Sequence, residues 1–367
     1  MQFKVGVIGA TGYIGTPYRQ EIREAAGQAT IVALCARRRE LLEAAGREDG
    51  ALLLTDDWQQ VVEHPDVNLV LVATPDALHH EEVMAAAAAG KHIFCEKPVG
   101  VSAQQALEMK TVCRDAGVAH YVPFWTRYVP VFARAREIYQ TGTLGEIQAV
   151  VYRWHNPRPI SMPFTWRDDA QLSAAGSIAD VGSHAYDAMR WILGQEVVRV
   201  LAHADVISPA KPDLGAINLG EALQWGEAHA VRDTPTSRQG TAFDYAAIAL
   251  QWDSGAVGSL TLSHAPSLRK GLAPELELHG SKASLAIDRI SSVLTIARGE
   301  QPETEAERID NPGFGNRFDK YVFPALRAQL AGEPTEHPDL EDGWRVQQFT
   351  DAVVRSAQQG GWAKVQS

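Results

Sequence analysis

The stretch that most limits what this chain can fold into is its first 26 residues. Phe3 to Ile8 reads as a buried strand, Gly9-Ala10-Thr11-Gly12-Tyr13-Ile14-Gly15 follows at once, and Pro17 to Ala26 reads as a helix. Glycines in a strand-to-helix turn let the backbone close on a pyrophosphate, which then sits against the amides at the helix amino end. The spacing is G-x-x-G-x-x-G, one residue longer than the usual fingerprint. The strand before it and the helix after it are the context that distinguishes a dinucleotide site from an ordinary tight turn. Gly9, Thr11, Gly12, Tyr13 and Ile14 are therefore candidate cofactor contacts, at the start of a parallel α/β sheet.

The second strand, Thr30 to Cys35, runs into Ala36-Arg37-Arg38-Arg39. NAD sites usually carry an acid here to accept from the ribose hydroxyls. None is present, since Glu40 already lies in the following helix. Guanidinium groups suit a 2′-phosphate through paired donors, which favours NADP and leaves NAD possible. Arg37 is the better candidate because it directly follows the expected acid position, and Arg38 or Arg39 could stack on adenine instead. The alternative is a helix start with three solvated arginines.

Strands and helices then alternate. Leu69 to Ala73 is a strand with the exit turn Thr74-Pro75-Asp76, and Ala77 to Ala89 is a helix stopped by Gly90. His92 to Cys95 is a strand, Ser102 to Ala116 a helix closed by Gly117, and Val118 to Val122 a strand. This rhythm implies right-handed parallel crossovers. Glu96-Lys97-Pro98 leaves the His92–Cys95 strand at its carboxyl end, where open α/β sheets hold ligands.

After Phe124 the pattern changes. A helix from about Val131 to Gln140 precedes longer alternating strands near 146–155, 197–206, 241–252, 256–264 and 275–279, with shorter ones near 284–288 and 293–297. Asp253-Ser254-Gly255 is a hairpin turn. Residues 208–239 read as a long irregular loop, and two helices, about 317–331 and 341–359, close the chain. The expected fold is α/β: an amino-terminal doubly wound Rossmann sheet over residues 1–124, then an α/β domain over 125–367 with a large, mostly antiparallel open sheet.

Read as a helix to Leu193, the stretch from Gly176 sets Asp180, His184, Asp187 and Trp191 on one stripe, beside the apolar Ile178, Val181, Ala185, Ala188 and Ile192. Such a stripe is either a site or a salt-bridged surface. No further cluster has metal-ligand spacing, so no metal is expected. Tyr121, Phe124, Trp125, Tyr128, Tyr152, Trp154, Phe164 and Trp166 could stack on sugar rings, though core packing accounts equally well for at least half of them.

Composition narrows the function classes. At 367 residues two domains are expected, and 45% apolar with 22% charged content describes a globular chain. A net charge of −11 argues against nucleic acid as the main partner. No run approaches the roughly 20 apolar residues of a membrane span. The chain opens directly in a strand without a signal peptide, and three scattered cysteines suit buried thiols, so a cytoplasmic location is expected.

Taken together, the Gly9–Gly15 turn, Glu96-Lys97-Pro98 and Asp180-x-Gly182-x-His184-x-x-Asp187 resemble the Gfo/Idh/MocA oxidoreductases in order and separation. Ala73-Thr74-Pro75-Asp76-Ala77-Leu78-His79, Trp166-Arg167 and Glu341-Asp342-Gly343 extend the likeness from Phe3 to the terminal helices. The resemblance implies hydride transfer between a nicotinamide cofactor and a secondary alcohol or ketone of a sugar, polyol or related carbohydrate. It implies Lys97, Asp180 and His184 as the catalytic set. Ala36, Arg37, Arg38, Thr74, Pro75, His79, Glu96 and Lys97 would lie with the glycine turn at the cofactor, and Arg127, Tyr128, His155, Trp166, Arg167, Asp180 and His184 at the substrate. The open sheet implies a homodimer or homotetramer. The longer glycine turn and Ala36-Arg37 depart from the NAD-using pattern. A neutral imidazole at His184 suits removal of the hydroxyl proton, and a cationic Lys97 suits developing alkoxide. Two alternatives are a relative that uses tightly bound NAD transiently for glycoside cleavage and a non-catalytic cofactor-sensing regulator.

Overall fold

In the computed structural model, which describes residues 1–25, 27–229, 236–299 and 303–366, the apolar run Phe3–Ile8 forms strand β1 at the middle of a parallel sheet. Its partners are β2 (Ala29–Cys35), β3 (Leu53–Thr55), β4 (Leu69–Val72), β5 (His92–Cys95) and β6 (His120–Tyr121), in the order β3-β2-β1-β4-β5-β6. Helices α1 (Gly15–Glu24), α2 (Arg39–Asp49), α3 (Trp58–Glu63), α4 (His79–Ala88) and α5 (Ala103–Ala116) make the crossovers. Strand order reverses beside β1, the switch point where doubly wound sheets bind ligands.

Some boundaries differ from expectation. Helix α1 starts at Gly15 and ends at Glu24, and the expected end, Ala26, lies outside the described residues. The turn before α4 is a 3-10 turn over Asp76–Leu78. Strand β3 and helix α3 had no counterpart in the sequence reading, because three and six residues are too short to show a period.

The chain forms two compact units. The first comprises Met1–Pro123, Ala216–Glu221 and Gly315–Gln347, and the second Phe124–Gly215, Ala222–Phe314 and Gln348–Ser367. The second unit holds α6 (Pro130–Gln140), β7 (Ile147–His155), α7 (Ser177–Leu193), β8 (Val197–Asp205), β9 (Lys211–Pro212) and β10 (Ser237–Arg238); α8 (Leu219–Ala228) comes between β9 and β10 in sequence, its first three residues belonging to the first unit and the rest to the second. Strands β11 (Tyr245–Trp252), β12 (Val257–Ser263), β13 (Leu276–Gly280), β14 (Ala283–Asp288), β15 (Val293–Arg298) and β16 (Glu303–Arg308) follow. Helices α9 (Phe323–Ala331) and α10 (Leu340–Gln359) and strand β17 (Ala363–Lys364) end the chain. Nine strands pair in the order β16-β15-β14-β13-β7-β12-β11-β8-β17, antiparallel except for β7 and β12. Alternation explains which face is covered: Ala246, Ile248, Leu250 and Trp252 of β11 are buried, while Tyr245, Ala247, Ala249 and Gln251 are only half-buried. Helix α7 packs on β7, β11 and β12, and α6 on β14 and β15.

The expected irregular loop 208–239 is partly ordered: β9 pairs with β10, and α8 lies between them, with residues 230–235 outside the described set. Gly220 and Gly226 dilute the helical signal there. Gly226 is required by a close approach, because a Cβ on it would lie 2.8 Å from Met162 Cα. The missed signal was Asn218-Leu219-Gly220-Glu221, a helix start whose ends bond reciprocally: Glu221 N–H donates to Asn218 Oδ1 at 3.0 Å, and Asn218 N–H to Glu221 Oε2 at 2.9 Å.

Candidate functional site

In the first unit the glycine turn is built as a cradle. Gly9 has φ +84°, and a Cβ on it would lie 2.4 Å from the Ala73 carbonyl oxygen; one on Gly15 would lie 2.3 Å from the Gly9 oxygen. A side chain at either place would collide with backbone, so glycine is what lets the turn close this tightly between β1 and α1. No side chain caps α1, and its first turn carries no acid, so its amino end presents amides and a positive dipole. These features fit a dinucleotide pyrophosphate.

Three buried groups brace the strand ends beside this turn. Glu96, 8% exposed, accepts from Tyr18 Oη and from the Lys97 N–H at 3.2 Å. Burial raises its pKa, against the opposing pull of the Lys97 charge and the Tyr18 bond. Thr74 donates to Glu82 Oε2 at 2.6 Å, and burial lifts the Glu82 carboxyl to about 7. His79 sits with its ring nitrogens 2.8 Å from the Pro98 carbonyl and 2.9 Å from the Thr74 carbonyl, tying the two loops together. It thereby braces the loops that follow β4 and β5. Pro75 caps the 3-10 turn after Thr74, and Lys97 is half-buried.

At the end of β2, Ala36 is buried and Arg37 exposed. Arg38 Nη1 donates to both carboxylate oxygens of Glu221, at 2.8 and 3.0 Å. Arg39 pairs with Glu43 one helical turn on.

In the second unit α7 starts at Gly176, whose φ +58° and ψ −125° suit glycine, and where a Cβ would lie 2.0 Å from the Phe243 oxygen. The expected stripe divides. Asp187 is fully buried and takes both edges of Arg127, Nε to Oδ2 at 2.8 Å and Nη2 to Oδ1 at 2.5 Å. This buried pair ties the turn before α6 to α7. Trp191 lies under the Arg136 guanidinium. His184 is stacked against Trp154 at 5.8 Å, with Phe124 edge-on at 6.2 Å, and the Arg289 guanidinium lies 3.8 Å from the Trp154 ring centre.

Asp180 is the head of a charged network that the sequence reading missed. Its Oδ2 lies 3.3 Å from Arg158 Nη2 and 3.3 Å from His264 Nε2, and Asp168 Oδ1 joins Lys211 Nζ at 2.5 Å and Arg158 Nη1 at 3.9 Å. Burial, reinforced by Arg158, drives the His264 pKa down to about 4, so the ring is neutral near pH 7 and donates or accepts according to tautomer. Burial also lowers Arg158, offset by Asp180 and Asp168. Burial alone would raise Asp168, but the Lys211 and Arg158 charges outweigh it and its pKa is lowered. Nothing in the spacing of Arg158, Asp168, Lys211 and His264 announces them; Lys211 sits in the stretch read as loop.

Of the other expected substrate contacts, Arg167 stacks on Trp166 at 4.3 Å, and Tyr128 lies 6.0 Å from Trp125. His155 alternates with Trp154 and so falls on the sheet face away from α7, its Nδ1 3.2 Å from the Arg269 carbonyl. Among the described residues there is no group of three or more metal-ligating side chains, and no helix is long and apolar enough to cross a membrane.

Comparison with known proteins decides the family. Residues 3–124 match the oxidoreductase family with an NAD-binding Rossmann fold, and residues 132–286 match the Gfo/Idh/MocA carboxyl-terminal domain. The chain belongs to the Gfo/Idh/MocA oxidoreductases. It is 26% identical over 352 residues to a levoglucosan dehydrogenase from Pseudarthrobacter phenanthrenivorans, covering 89% of this chain and 87% of the relative. It is 25% identical over 371 residues to D-glucoside 3-dehydrogenase from Escherichia coli, covering 97% and 96%. A solved levoglucosan dehydrogenase in complex with NADH and levoglucosan shares the fold over 100% of both chains, with a TM-score of 0.81 at 24% identity. As a member of this family the chain is a nicotinamide-dependent oxidoreductase of CH–OH groups, with a Rossmann sheet followed by a mixed, mostly antiparallel one.

Proposed function

We propose that this chain is a dehydrogenase of a cyclic sugar or polyol, taking hydride from a ring secondary alcohol and its hydroxyl proton in the same reaction. The observation that carries this reading is Asp180–His184 on α7: an imidazole stacked on Trp154, one turn from a carboxylate paired with Arg158 and lying 3.3 Å from His264 Nε2. His184 takes the hydroxyl proton, Lys97 stabilises the developing negative oxygen, and Asp180 accepts from a substrate hydroxyl. A bound nicotinamide supplies the hydride acceptor. Thr74 and Glu96 shape the loops that hold it, and Tyr128, Trp166 and Arg167 contribute to substrate binding. The dehydrogenases of levoglucosan and D-glucosides among the relatives support a carbohydrate substrate. Ala36 and exposed Arg37 support NADP as the preferred cofactor. Three free, buried cysteines suit the cytoplasm.

The test is a panel of pyranoses, anhydrosugars, glycosides and cyclitols with NADP⁺ and NAD⁺, following the absorbance of the reduced cofactor. Turnover is expected on members bearing a ring secondary alcohol, faster with NADP⁺. Cofactor binding without turnover on any carbohydrate would overturn the proposal.

A further inference from the structure

Within the first unit, the turn Asn218–Glu221 reaches the glycine turn on one side and the residues that follow β2 on the other. At one end Gly220 meets the glycine turn: a Cβ on it would lie 3.4 Å from Tyr13 Cδ2. At the other end Glu221 grips Arg38, the third residue after β2, through both carboxylate oxygens. The carboxyl end of the second strand is where the ribose 2′ position is read in this architecture. This chain has buried Ala36 where an acid would stand, and a carboxylate from about 180 residues later is held on Arg38, three residues past the strand. The reciprocal bonds with Asn218 fix where that carboxylate points.

We propose that Glu221 is a cofactor-selecting residue: it occupies Arg38 and sets a negative charge against a 2′-phosphate at the end of β2. The proposal rests on the reading that the glycine turn binds a nicotinamide dinucleotide. Arg38 and Glu221 are 37% and 39% exposed, so the pair is open to solvent and weakly held. A 2′-phosphate must compete with Glu221 for Arg38 and meets its repulsion, leaving Arg37 as the uncontested donor. An unphosphorylated ribose meets neither penalty. Glu221 thus narrows the preference that the arginines would otherwise create.

The experiment is calorimetric titration of NADP⁺ and NAD⁺ into the full chain without substrate, for wild type, Glu221→Gln, and Glu221→Gln combined with Arg38→Gln. Glutamine keeps an acceptor for the Asn218 amide and removes the charge. Releasing Arg38 to a phosphate adds one charge-assisted hydrogen bond, so Glu221→Gln should tighten NADP⁺ by roughly 10-fold or more. NAD⁺ affinity should stay near wild type, and the added Arg38→Gln change should abolish the gain. An unchanged NADP⁺ to NAD⁺ ratio in Glu221→Gln, or a gain that survives loss of Arg38, overturns the proposal. A wild-type chain that binds neither nucleotide overturns the dinucleotide reading itself, and this proposal with it.

Discussion

Glu82 is 1% exposed, and its partner Thr74 is neutral, so it holds its proton unusually well. Its pKa rises from 4.5 to about 7, chiefly through burial. The folded chain therefore keeps a proton that the unfolded chain loses between these values. Stability from this group is unaffected below pH 4.5, falls as pH rises to 7, and is flat above. The full loss is about 3 kcal/mol. Glu82→Gln still accepts from Thr74 but does not titrate. In urea denaturation the variant should match wild type near pH 4 and exceed it near pH 8; parallel pH profiles would exclude Glu82 as the source. For the proposed chemistry, Lys97→Met and His184→Ala should each lower kcat by about 10²–10⁴-fold, the usual worth of a positioned acid or base. Cofactor affinity, measured by titration, should change far less. Near-wild-type turnover in either variant would remove that residue from the catalytic set.

Helix α7 shows what the sequence could and could not reveal at the level of an element. Its apolar stripe, its limits and the place of His184 were legible because a 17-residue helix repeats its period several times. Strand β3 was too short for that, and α8 was hidden by its two glycines, of which Gly226 is needed for the close approach of Met162. The division of the polar stripe was not legible either. Burial of Asp187 depends on Arg127, 60 residues earlier, and Asp180 on Arg158 and His264, partners that only the fold brings near. Gly182 was read as part of a motif, and Gly176 as the residue before the helix; at both places a Cβ would meet a neighbour. Gly182 lets the helix approach β12, since a Cβ there would lie 2.6 Å from Leu262 Cδ1, the end of a side chain that can move. Gly176 faces the Phe243 backbone, which cannot. Gly176→Ala should therefore lose about 3 kcal/mol or more, from the disfavoured dihedrals together with the clash. Gly182→Ala should cost about 1–3 kcal/mol, as overpacking does. Thermal or chemical denaturation ranks the two, and the reverse order would show that the helix start gives way more readily than the sheet.

At the scale of the whole molecule, the sheet of the second unit poses the question of assembly. Its face away from α7 runs through β8, β11, β12 and β7 with Leu201 against Ala249, Ala249 against Ser259, and Ser259 against Val151. Leu201 is 38% exposed and Val257 53%. Small and apolar side chains in register give a flat strip, with charge displaced to Arg199 at one side and the Arg153–Glu277 pair at the other. A broad apolar strip of this kind is a liability in a lone chain. A second copy related by a two-fold axis would cover it with the same strip, since an isologous interface needs only one self-complementary patch. Sheets with small facing side chains can approach to about 10 Å. The expected state is therefore a dimer, or a tetramer built from it. Multi-angle light scattering should give two or four chains for wild type, and Ala249→Glu with Leu201→Asp should give one, by placing like charges against each other across the axis. Circular dichroism on the variant separates dissociation from unfolding. A wild-type monomer at working concentrations would sink the assembly, and a folded variant that remains oligomeric would move the interface off this face.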